Sequence, residues 1–145
     1  MIWARGRRLF STACVAVILV SAAHTIGHLA PPPSPQSDPE FARLEAAIDG
    51  YHAPLGMGMT PSFHDIHMGL VFTMTVLLIS IGIIGLMFAS DRGATPEQLT
   101  RLAVIFAGTT ASLTGIYWFY QVPPPLVSLA LVTMLYSVSV RTCRT

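Results

Sequence analysis

Four long apolar runs decide what this chain can fold into. They extend from Leu9 to Leu29, from about Ile66 to Ala89, from Leu102 to Tyr120 and from Leu126 to Val140. A helix needs about 17–25 apolar residues to cross the hydrocarbon core, because each residue rises only about 1.5 Å. The first three runs meet that length. The fourth is shorter and qualifies as a span if Pro124, Pro125 and Arg141 sit in the interfaces. The expectation is an all-α integral membrane four-helix bundle, a single membrane domain over 1–145. Its helices are expected at about 9–29, 64–89, 101–121 and 125–140.

Charge supports the same reading. Only 10% of residues are charged, against about 25% in a soluble domain, and mean hydropathy is +0.62. A net charge of +1 lacks the basic patch of a nucleic-acid binder, so the expected partner is the lipid bilayer. All basic residues are arginine. Threading four helices puts Arg5, Arg7, Arg8, Arg92, Arg101, Arg141 and Arg144 on one side and Arg43 alone on the other. Positive charge is retained in the cytoplasm, so both termini are expected inside. Cys14 and Cys143 lie too far apart in depth and context to read as a disulfide framework.

The long outer loop, 30–63, is expected to carry a short amphipathic helix at 39–50. Asp38 can cap it, Pro39 suits its first position and Gly50 its end. Phe41, Leu44, Ile48 and Tyr51 recur at helical spacing, so the helix can lie on the outer leaflet or over the bundle mouth. Residues 54–61 read as flexible loop. The first run also resembles a signal peptide, with a basic start and small residues at Val20-Ser21-Ala22. Cleavage would leave three helices. Retention is favoured because apolar character resumes through Thr25 to Leu29.

The five histidines, His24, His28, His52, His64 and His67, all fall at the outer face in this topology. His24 and His28 stand four apart and share a helix face, flanked by Ser21 and Thr25. His64 and His67 stand three apart at the start of the second span, with Asp65 between them. Imidazoles at such spacings chelate transition metals, and a carboxylate can complete the site. Ionisable groups at membrane depth are costly and therefore suspects for function. His24, His28 and Asp65 are the candidate metal ligands, and His24, His28, His64 and His67 the candidate cofactor ligands. The occupants considered are zinc, iron, copper helped by Met57, Met59 and Met68, and a b-type haem held between two helices. The bland alternatives are interfacial histidines reaching water, which suits His52 best, and simple interhelical hydrogen bonds.

The remaining runs carry packing signals. Gly82 and Gly85, and Gly108, Ala111, Ser112 and Gly115, are small enough to let helices approach. Thr109, Thr110 and Thr114 can bond to helical carbonyls or to neighbours. Tyr117, Trp118 and Tyr120 read as an aromatic anchor at the outer interface, setting depth rather than stacking on a ligand.

The stretch His24-Thr25-Ile26-Gly27-His28 resembles a group of small bacterial membrane proteins whose first helix ends in a His-Thr-x-Gly-His pattern. In that group an extended outer segment follows, and the second helix opens with an aromatic-Asp-x-x-x-Gly pattern. Here Phe63-His64-Asp65-Ile66-His67-Met68-Gly69 matches in Asp65 and Gly69. The resemblance covers the first two helices. It implies a bacterial inner-membrane location, a four-helix fold and a site, but no reaction. Aromatic residues often stand in that group where this chain has His64 and His67, which shifts weight to His24, His28 and Asp65.

Three functions fit these residues. The first is a metal or haem centre for electron transfer or metal handling. The second is a non-catalytic membrane subunit or assembly protein, docking a membrane protein partner or a second copy through its small-residue faces. The third is a membrane enzyme using His24 and Asp65 as acid and base on a lipid-like substrate.

Overall fold

The computed structural model describes residues 2–30, 37–119 and 123–144. Five helices follow one another: α1 (Ile2–Leu29), α2 (Pro39–Gly50), α3 (Phe63–Ser90), α4 (Pro96–Phe119) and α5 (Pro123–Arg144). Strand pairing among the described residues is limited to two isolated bridges. Four of the helices are long and apolar enough to cross a membrane: Trp3–Leu29, Phe63–Ser90, Pro96–Phe119 and Pro125–Cys143. In none of them is more than 28% of the most apolar stretch buried. Leu19, Leu70, Val76, Ile105, Leu131 and Met134 all point outward. Water would not tolerate so much exposed apolar surface, but lipid does.

Helices α1, α3, α4 and α5 run alternately up and down. Their order in space is α3, α1, α5, α4, and α3 and α4 touch only slightly. One end of the bundle gathers the arginines other than Arg43, and the other end the histidines. At the arginine end Gly6 of α1 approaches Cys143 of α5 so closely that an added Cβ would stand 2.7 Å from its sulfur. Arg7 donates from Nε to the Ala89 carbonyl and, over 2.7 Å, from Nη2 to the Asp91 carbonyl. A cation there meets the carbonyls that end α3, at the negative end of the helix dipole.

The core sits between this end and mid-bundle. Phe10, Cys14 and Val17 of α1, Leu99 of α4 and Tyr136 of α5 are essentially inaccessible. Phe10, Phe106 and Tyr136 pack as three rings with centroids 5.6–5.9 Å apart. Gly82 and Gly85 turn toward α1, where a Cβ on Gly82 would meet the Cys14 carbonyl oxygen at 2.8 Å. The expected role of those two glycines is therefore realised. Gly108 and Gly115 differ: nothing lies within 4 Å of where their Cβ would be, so the small face of α4 points out of the bundle. Hydroxyl pairs join neighbouring spans, Thr25 to Thr75 across α1 and α3 and Thr133 to Thr110 across α5 and α4.

Several boundaries reach beyond the apolar runs. Helix α4 begins at Pro96 because Thr95 and Gln98 cap it reciprocally, with bonds of 2.9 and 3.2 Å. Helix α5 continues through Arg141, giving the fourth span its length. Helix α2 forms as its caps imply, with Asp38 Oδ1 accepting from the Phe41 amide. None of its residues is buried. The segment after it is a hairpin instead of an open loop. Ala53 bonds to Pro61, Leu55 to Met59 and Phe63 to Tyr51. Its turn uses left-handed backbone at Gly56, Met57 and Gly58, where glycine carries no Cβ penalty.

Candidate functional site

At the histidine end the four spanning helices separate around a partly open cavity of about 500 Å³. Helix α1 supplies its polar wall. Ser21, His24 and His28 recur at i, i+3 and i+7, so they stack on one face and all line the space. Helix α3 contributes Met74, Thr75 and Leu78, α5 contributes Ser128 and Leu129, and α4 contributes Tyr117. No Arg, Lys, Asp or Glu is among the described lining residues.

The histidine rings form a row. His24 and His28 meet edge to face with centroids 4.6 Å apart, and His28 meets His67 of α3 at 5.2 Å. Tyr117 closes the other side, its ring 6.5 Å from that of His24. The sequence spacing anticipates the first pair. The joining of His67 to it is a tertiary fact, set by α1 and α3 crossing at the Thr25–Thr75 bond of 2.5 Å.

The other candidates go elsewhere. Asp65 belongs to the cap of α3: its Oδ2 accepts from the Ser62 amide at 3.0 Å and the Ser62 hydroxyl at 2.8 Å, while its own amide donates back to Ser62 Oγ. The signal was present as Ser62-x-x-Asp65, a capping box ahead of an apolar run. His64 faces α2, with Nδ1 3.4 Å from Asp49 Oδ1. His52 is exposed and its Nδ1 lies 3.0 Å from the Thr60 carbonyl. Met57 is 93% exposed on the hairpin turn. Among the described residues no three His, Cys, Asp or Glu side chains converge on one ion-sized site.

No known protein family, curated protein or solved structure matches this chain.

The geometry alone therefore defines the site. Sequence reasoning gave Tyr117 a depth-setting role; Tyr117 lines the cavity, whereas Trp118 and Phe119 beside it point outward at 73% and 78% exposure. Tyr120 lies outside the described residues. The lining hydroxyls also differ among themselves. Thr75 donates to the Val71 carbonyl, and Ser128 to that of Pro125. Ser21, only 1% exposed, has no partner for its Oγ among the described residues. Such a wall can hold an apolar body and direct two or three hydrogen bonds at it. It offers no fixed counter-ion to a phosphate or carboxylate.

Proposed function

We propose that this is a multi-pass protein of a bacterial inner membrane, with cytoplasmic termini, that binds a small lipid-soluble molecule between its spans. The observation that carries this reading is the cavity itself. It is formed by all four spanning helices, walled mainly by apolar side chains, and provided with imidazole and phenol groups on facing helices. Binding sites for small molecules are commonly apolar hollows of about 300–1,000 Å³ with a few convergent polar groups. Helix α2, with Phe41 and Leu44 unburied, would lie along the membrane surface beside the mouth.

Gly27 provides the test. It lines the cavity, and nothing lies within 4 Å of where its Cβ would be, so Gly27→Leu fills the space without disturbing the core. Protein extracted gently from membranes and weighed intact by native mass spectrometry should carry a small neutral adduct. The Gly27→Leu protein should fold and lose it. Wild-type protein free of any adduct in repeated preparations would sink the proposal.

The adjacent imidazoles of His24 and His28 support a second reading, a transition metal bound by two histidines, with water or the Tyr117 phenol filling the remaining positions. Stoichiometric zinc, copper or iron in elemental analysis, lost on His28→Ala, would favour it. A b-type haem suits the arrangement less well. Axial imidazoles must flank the porphyrin plane, and His28 and His67 meet edge to face with no plane's width between them.

A further inference from the structure

The proposed cavity has one feature that its apolar character does not account for. Ser21 Oγ is the sole buried side-chain polar atom among the described residues without a hydrogen-bond partner. Serines in membrane helices ordinarily donate to the carbonyl one turn back, as Ser11 and Ser112 do in this chain. Ser21 instead lines the cavity at its deeper end. A buried hydroxyl without a partner is costly, and in native proteins it marks a place where a ligand or water completes the bond.

The depth of Ser21 narrows the ligand. An ordinary amphiphile has one polar end, which it keeps at the membrane surface, so its deep part needs only apolar walls. Here His28 sits near the mouth, His24 about one turn deeper and Ser21 another turn below that. One turn is about 5.4 Å of rise. The occupant must therefore accept or donate hydrogen bonds at two depths, about one turn apart, on an otherwise apolar body. No fixed charge lines the wall, so the ligand is neutral. A sterol or a fatty alcohol has polar atoms at one end only, and a phospholipid brings a charged headgroup.

Resting on the proposed lipid-soluble ligand, we infer that the cavity takes a para-quinone headgroup, with Ser21 bonded to one oxygen and His24, one turn away, to the other. The two oxygens of such a ring lie across its full width, which matches one helical turn. Tyr117 lies on the far side of His24 and bounds the ring laterally. The apolar tail leaves through the partly open side of the cavity. Ser21 holds the headgroup in register; without the quinone it is simply an unsatisfied group.

The test uses the full-length protein in detergent, titrated with a decyl-substituted 1,4-benzoquinone and followed by native mass spectrometry. Decylbenzene and 4-decylphenol serve as probes with no oxygen and one oxygen. One saturable adduct per chain is expected with the quinone, binding at least tenfold tighter than decylbenzene and clearly tighter than the phenol. Ser21→Ala should weaken quinone binding about 3–10-fold, the loss of one hydrogen bond, while raising the melting temperature of the ligand-free protein. Equal binding of all three probes, unaffected by Ser21→Ala, would overturn the quinone assignment and leave the apolar-ligand reading standing. Equal binding of phenol and quinone would overturn recognition at two depths. Failure of every probe to bind, in wild type and Gly27→Leu alike, would remove both.

Discussion

Thr25 of α1 and Thr75 of α3 share a hydrogen bond of 2.5 Å beside the cavity, and whichever hydroxyl accepts it gives its own proton to a carbonyl of its own helix, that of Ser21 or of Val71. The pair fixes the crossing that brings His28 to His67. A double-mutant cycle of Thr25→Val and Thr75→Val should give a coupling of about 0.6 kcal/mol, the usual size for hydrogen bonds between membrane helices. Unfolding in mixed detergent measures it. Strictly additive single mutants would mean that the bond contributes nothing beyond its carbonyl partners.

The two glycine sets should behave oppositely. Gly82→Val forces a side chain against the Cys14 carbonyl and the Ile18 side chain, and should cost about 1–3 kcal/mol. Gly108→Ala, with open space at its Cβ position, should be neutral or stabilise by up to about 1 kcal/mol through helix propensity. Thermal melts in one detergent compare them. A destabilised Gly108→Ala protein would indicate that this face of α4 is covered by another chain.

Arg7 ties the start of α1 to the end of α3 through two carbonyls. Arg7→Ala should lower stability by about 1–2 kcal/mol. Lysine, with one ammonium in place of a fork, should recover part of that loss. Full recovery by Arg7→Lys would argue that only the charge matters.

Orientation can be read from thiol labelling. Leu55→Cys on the hairpin should react with a membrane-impermeant maleimide added to intact cells or spheroplasts. Glu97→Cys at the start of α4 should react only after lysis. Both sites are exposed, and both native cysteines are buried, which keeps background low. The reverse pattern would invert the proposed topology.

Retention of the first helix has an equally direct readout. Phe10, Ala13, Cys14 and Val17 of α1 are fully buried between α3 and α5, and cleavage after Ala22 would remove them all. The intact mass of protein purified from membranes should include residues before Ala22. A mature chain beginning near Ala23 would contradict this.

Much of the fold was legible because spanning a membrane imposes a crude, local demand: enough consecutive apolar residues. The four runs, the helix at Pro39–Gly50 and the clustering of arginines at one end all follow from composition along the chain. Boundaries were harder, since capping residues are polar and sit outside the run they start. Thr95-Pro96-Glu97-Gln98 spells a helix start six residues before the apolar run at Leu102. The same blind spot affected Asp65. As a carboxylate between two histidines it looks like a ligand, whereas three residues after Ser62 it looks like a cap, and its hydrogen bonds are those of the cap.

The site was legible only by halves. A one-turn repeat puts His24 and His28 on one face from spacing alone. That Tyr117 and His67 approach the same place depends on which helices are neighbours, and sequence periodicity carries no such information. Ser21 was visible as part of a polar stripe. Its lack of a partner could emerge only once every nearby donor and acceptor had a position.

The contact between Gly6 and Cys143 also bears on how the molecule is made. Helix α1 leaves the ribosome before α5, against which it packs, so it enters the bilayer with one of its two main neighbours still unsynthesised. Until α5 arrives, the nascent chain holds α1 against α3 alone, and the Cys14 side that later meets Tyr136 stays uncovered. Assembly of the cavity is thus deferred until α5 has been made, and a chain truncated before α5 would lack the wall that holds Leu129. Such a product would resemble the finished protein in hydropathy while being unable to enclose anything.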